Sequence, residues 1–181
     1  MAGSWVERSQ DPRPQGSPQT EKQNYEDYLG HYRLTLGMKC DELSPEQMAQ
    51  RSVPPSTLSL LGLIRHMASV EHQWFQRVAQ ATGEDRLYRT PEDRDHDFNA
   101  AVGTQECVDD AFATWRREIE KAEAWFASVP EGDLGRELEV PQQDDESIPI
   151  RDLLVHMIEE YARHCGHADL LRECIDGRTG Q

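Results

Sequence analysis

Apolar residues in this chain recur at three- and four-residue steps over stretches much longer than a strand, and that period confines the chain to helices. In "TLSLLGLIRHMASVEHQWFQRVAQATG", Leu60, Leu63, Met67, Val70, Trp74 and Val78 fall along one broad stripe, and Gly83 closes the pattern. In "TQECVDDAFATWRREIEKAEAWFASVP" the inward residues are Val108, Phe112, Trp115, Ile119, Ala122 and Phe126, with Thr104 as a candidate cap and Pro130 and Gly132 as the stop. An earlier stretch, from about Lys22 to Asp41, places Tyr25, Tyr28 or Leu29, Tyr32, Leu36 and Cys40 on one face, although Gly30 and Gly37 weaken it. The last helix runs from about Pro149 to Ile175, begins behind Ser147 and stops before Gly177. Extended structure is confined to a short piece around Leu138 to Val140. Four long helices in 181 residues predict an all-α fold, a four-helix bundle with one core.

The connections are unequal. Ser44 before Pro45 starts a short helical turn, Pro54-Pro55 stops anything helical, and Ser56 or Thr57 caps the second long helix. Residues 84–104 show no period and read as a long surface loop between helices two and three, of the kind that serves as a lid or binding loop. Residues 1–20, with three prolines among Ser, Gln and Gly, read as a mobile tail, which leaves 21–181 as the bundle domain.

Charge excludes whole classes of partner. With 34 acidic and 19 basic residues the formal net charge is −15, so the summed field repels phosphate backbones and anionic bilayers, and nucleic acid is not an expected partner. No apolar run approaches the roughly 18 residues that cross a membrane, and the first residues lack the apolar core of a signal peptide. The expectation is a cytoplasmic protein, monomer or homodimer, acting on a small molecule. Cys40, Cys107, Cys165 and Cys174 stand far apart with no CxxC pair, which predicts reduced thiols.

One segment of the last helix, "HMIEEYARHCGH", carries the chemistry. At about 100° per residue, His156, Glu160, Arg163, His164 and His167 share one stripe. Leu153 and Leu171 lie on the same side, so the stripe faces the bundle interior. A buried carboxylate and imidazole cost several kcal/mol unless paired, and a divalent cation is an efficient partner. Glu160 and His164, one turn apart, can reach a single ion, and a third donor must come from a facing helix. His66, set between Leu63 and Met67 in the stripe of helix two, is the natural candidate. The same spacing also fits polar core packing without an ion. Arg163 and His167 are candidates for binding an anionic group or for holding a ligand, against a surface salt bridge and a packing contact. His156 stays open between such roles. His72 falls on a different face from His66 and is expected at the surface. Cys165 points away from His164 and is read as packing, while His31 and His96 have no partner that spacing identifies.

The fragments "LSLLGLIRHMASVEHQWF" and "IPIRDLLVHMIEEYARHCGHADLLRE" resemble the two signature segments of the DinB-like (YfiT-like) metal-dependent enzyme superfamily, in the branch that includes actinobacterial mycothiol-dependent enzymes. The likeness runs from about Tyr25 to Ile175. It implies a four-helix bundle binding zinc, or else nickel, through His66, Glu160 and His164, with Glu160 in place of the His found in many relatives. It further implies mycothiol or a similar low-molecular-weight thiol as cosubstrate, activated for transfer to an electrophile. The relatives that isomerise maleylpyruvate carry a further C-terminal domain that this sequence does not show, so that reaction is not the expectation. A hydrolase, in which the ion activates water, and a non-catalytic binding or stress-response module are the alternatives.

Overall fold

The computed structural model describes residues 5–6, 9–13, 16–141 and 146–180. Its long helices are α1 (Glu21–Met38), α3 (Leu60–Glu71, continued by a π-helical turn over His72–Val78), α5 (Gln105–Ser128) and α6 (Ile150–Asp176), with short helices α2 (Pro45–Met48) and α4 (His96–Asn99) between them. The fold is a DinB-like helical bundle. α1 packs on α6, and α3 packs on both α5 and α6. The two short strands, β1 (Glu137–Glu139) and β2 (Ser147–Pro149), pair antiparallel just before α6.

Each long helix starts and stops where local chemistry allows. Thr20, Ser59 and Thr104 accept hydrogen bonds from the backbone N–H groups of Gln23, Gly62 and Cys107, satisfying donors that a helix start leaves open. The second long helix therefore starts later than Ser56 or Thr57 would dictate, because it is the Ser59 hydroxyl that reaches the first turn. α6 ends at Gly177, which adopts the left-handed conformation (φ 78°) and donates to the Glu173 carbonyl. On α1 it is Leu29 that enters the core, while Tyr28 is half exposed.

α3 is the central helix. Buried residues occupy nearly every side of it, among them Leu60, Ile64, Arg65, Met67 and Glu71, as expected of a helix enclosed by protein. This corrects the reading of His72 as a surface residue. Its ring does face away from His66, but that side is covered too: Nδ1 lies 3.1 Å from Glu118 on α5, and Nε2 lies 3.0 Å from the carbonyl of Asp85 in the loop.

One buried network joins all four long helices. Arg33 of α1 donates to both carboxylate oxygens of Glu71 on α3, at 2.8 and 2.9 Å. Tyr161 of α6 donates to the same carboxylate at 2.6 Å and accepts from Trp115 Nε1 of α5 at 2.9 Å. Burial pushes the Tyr161 hydroxyl well above its ordinary pKa, reinforced by the Glu71 carboxylate, so it stays protonated and donates.

Of the stretch read as a tail, residues 1–4, 7–8 and 14–15 lie outside the described residues. Trp5 is buried, with Lys39 Nζ 4.0 Å and the Arg178 guanidinium 4.1 Å from its ring centroid. Among the described residues no helix is long and apolar enough to cross a membrane.

Candidate metal centre

The centre is built by α3 and α6 where they pack together. His66, Glu160 and His164 each offer a ligand atom, and those atoms lie within 4.8 Å of one another. Within α6, His164 Nε2 stands 3.4 Å from Glu160 Oε2, the contact that the i, i+4 spacing brings about. Across the helix pair, the rings of His66 and His164 meet edge to face with centroids 4.8 Å apart.

Second contacts fix the orientation of both imidazoles. His66 Nδ1 donates to Asp97 Oδ2 at 2.8 Å, which leaves its Nε2 lone pair available. His164 Nδ1 is 3.3 Å from His167 Nδ1. A His164 that keeps its Nε2 lone pair free carries its proton on Nδ1, and His167 is placed to accept it. Burial lowers the pKa of His164 to about 4, with the facing His66 adding to the effect, so the ring is neutral at pH 7. Glu160 also lies 3.8 Å from His156 Nε2 and 3.9 Å from the Arg163 guanidinium. Arg163 itself sits at the rim with 63% of its side chain exposed, and His156 packs its ring 4.6 Å from that of Trp74.

Asp97 is the residue that sequence reasoning missed. It lies in the long loop, on the short helix α4, and is buried there. Nothing in "EDRLYRTPEDRDHDFN" singles it out among its acidic neighbours. Its placement depends on α3. Gly62 leaves room for α4, since a β-carbon at that position would come within 2.8 Å of the Phe98 ring. Arg65 then grips α4 by its backbone, donating to the carbonyl of Asp97 at 2.8 Å and to that of His96 at 3.2 Å. With α4 held in this way, Asp97 reaches His66, and Phe98 stacks on the His66 ring at 5.0 Å. The loop thus supplies both a polar partner and an apolar cover for one imidazole.

A cavity of about 210 Å³ opens beside His66, between the far half of α3 and the loop. The cysteines do not contribute to it. Cys165 turns toward α1, where its Sγ lies 3.7 Å from the Tyr32 carbonyl, and burial pushes its pKa up to about 12. Cys40 is buried as well, its thiol raised by desolvation, and all four cysteines are free.

The crystal structure of a conserved protein from Enterococcus faecalis matches with a TM-score of 0.63 at 13% identity, covering 89% of this chain and 100% of that one, a likeness of fold alone. No curated protein matches the chain at a significant level. The model of the family described as mycothiol-S-transferase, MST, matches residues 24–177, a span that holds α3, α6 and the loop that builds the centre, and the chain belongs to that family.

Proposed function

We propose that His66, Glu160 and His164 hold a divalent cation, zinc before nickel, and that the protein transfers a low-molecular-weight thiol, mycothiol or a close relative, to an electrophilic small molecule. The observation that supports this reading is the approach of two imidazoles and a carboxylate to within 4.8 Å of one another in a chain of the MST family. Two neutral nitrogens and one carboxylate oxygen form a donor set that zinc takes in three-ligand catalytic sites, where a position stays open for a reactant. A cation held there supplies the Lewis acidity that brings a thiol pKa down toward neutrality.

The chain's own residues hold and screen that centre. Asp97 fixes the tautomer of His66, and His167 is placed to accept a proton from His164 Nδ1. Phe98 and Trp74 present apolar surface to the reactants, and Arg163, exposed at the rim, is placed to meet the thiol partner. Cys165, next to His164 in the chain, is buried, raised to about 12 and turned away, so the nucleophilic sulfur comes from the cosubstrate.

The test is turnover of a model electrophile by the purified protein with and without mycothiol. Thiol-dependent product that disappears on chelation and returns with zinc is the expected result. Product formed at the same rate without thiol would place the chain among hydrolases, and no product under any metal or thiol would favour a binding module.

Asp97→Asn should weaken zinc affinity about 10–100-fold, the usual effect of removing the carboxylate behind a ligating histidine. Competition against a chromophoric chelator measures this directly. An affinity equal to that of the parent protein would mean that Asp97 serves only to dock α4.

A further inference from the structure

The cavity beside His66 is lined by three arginines of the long loop, Arg86, Arg89 and Arg94. The chain carries 34 acidic and 19 basic residues, so three arginines gathered on one cavity wall stand against its overall charge. Among the described residues these three make no ion pair and no side-chain hydrogen bond, whereas three acidic groups of the same loop are engaged elsewhere. Asp93 accepts from Asn99 Nδ2 at 3.0 Å and lies 3.5 Å from His96, Glu84 lies 3.7 Å from His72, and Asp97 is bonded to His66. Asp95 is the one other carboxylate on the cavity wall, so positive charge prevails there.

The loop is held in this arrangement by contacts to α3 and α5. Ser69 donates to the Leu87 carbonyl at 2.9 Å, and His72 meets the Asp85 carbonyl at 3.0 Å. Tyr88, between the first two arginines, has its ring under the Arg65 guanidinium at 4.0 Å and donates to Asp110 at 2.8 Å. Its backbone is in the left-handed region (φ 48°), a conformation that persists in a β-carbon-bearing residue where its surroundings hold it. Partial desolvation lowers the pKa of Arg86, and the neighbouring Arg89 and Arg77 add to that.

We propose that Arg86, Arg89 and Arg94 form an anion subsite that takes a carboxylate of the acceptor, next to the centre where the thiol is delivered. Assignment to the acceptor rests on the thiol-transfer reading above; the anion site itself does not. A cavity of about 210 Å³ is smaller than the ~300–1,000 Å³ of sites for drug-sized ligands, and so suits a compact carboxylate. Guanidinium forks match that group in geometry and charge. The acceptor is then a small anionic electrophile whose carboxylate is anchored in the loop while its reactive carbon faces His66.

Calorimetric titration with succinate and with succinamide, on the protein as purified and after chelation, tests the anion site without turnover. Succinate should bind about tenfold or more tightly than succinamide, and the preference should survive chelation and vanish in the Arg86→Gln/Arg89→Gln/Arg94→Gln variant. All three residues are on the surface, and circular dichroism checks that the variant is folded. Equal binding of the two probes, an unchanged preference in the variant, or loss of succinate binding on chelation would each overturn the site, the last because the carboxylate would then be a ligand of the cation. For the assignment to the acceptor, the ratio of kcat/KM for a carboxylate-bearing over an amide acceptor should fall about tenfold in the variant. An equal fall for both acceptors would move the anion to the thiol partner. Absence of thiol transfer with intact succinate binding would remove the transferase reading and leave the anion site standing.

Discussion

Glu71→Ala should destabilise the protein by about 3–5 kcal/mol, the range found when one partner of a buried ion pair is removed. The loss follows from what is left behind. Arg33 is buried and its guanidinium would have to stay charged without the carboxylate that receives two of its N–H groups, its remaining carboxylate contact being Glu123 at 3.4 Å. Burial by itself disfavours the charged guanidinium, and Glu71, together with Tyr161 and Glu123, more than reverses that, leaving Arg33 above its ordinary pKa. Tyr161 would lose its acceptor at the same time, although Trp115 would still donate to it. For a bundle of this size the change corresponds to a fall in Tm of roughly 6–20 °C. Because this network joins α1, α3, α5 and α6, unfolding should remain a single transition. The double variant Arg33→Met/Glu71→Leu should lose less than Glu71→Ala, since removing both charges leaves neither one stranded. Chemical denaturation of the three proteins checks the cycle. A Glu71→Ala protein within about 1 kcal/mol of the parent would mean that water reaches the network, at odds with a Glu71 that is 0% exposed.

That network also marks the limit of what the sequence discloses. The helix faces were legible because spacing within one helix is a local property: Leu60, Leu63 and Met67 recur with the helical period, and all are buried. The same locality makes Glu160 and His164 neighbours by their i, i+4 spacing, and the apolar surroundings of His66 turn it inward. Pairing between helices depends on crossing angles and axial offsets, which the period does not encode. Arg33 and Glu71 therefore look in the sequence like ordinary solvated charges, yet the fold makes them one buried pair. His72 was misplaced for a related reason: its angular offset from His66 was correctly read, but a helix enclosed on nearly every side leaves no surface for it to occupy. Asp97 and the three arginines lie in a segment without period, where only the docking of α4 on Gly62 and Arg65 decides which side chains turn inward.

His164→Ala and His66→Ala should each reduce bound metal from about one ion per chain to less than a tenth of that, by elemental analysis of untagged protein, because two donors do not hold zinc against dilution. The two readings of the cluster separate on stability as well as content. If it holds a cation, binding stabilises only the folded state, so chelation lowers the Tm of the parent protein and leaves that of His164→Ala unmoved. If it is polar packing alone, a chelator moves neither. The geometry favours the first outcome. His164 is buried and its pKa is lowered to about 4 by burial and by the facing His66, so its imidazole is neutral at pH 7 where it meets His66 edge to face. The contacts of His66 with Asp97 and of His164 with His167 use their Nδ1 atoms, and with the Nδ1 protons engaged there, both Nε2 lone pairs turn toward a carboxylate oxygen that is itself an acceptor. Two lone pairs and a carboxylate brought together inside a protein repel one another until something positive lies between them. Arg163→Ala is the matching control: with its side chain 63% exposed and 3.9 Å from Glu160, it should leave metal content intact, and loss of metal there would show that the guanidinium supports Glu160 rather than meeting a reactant.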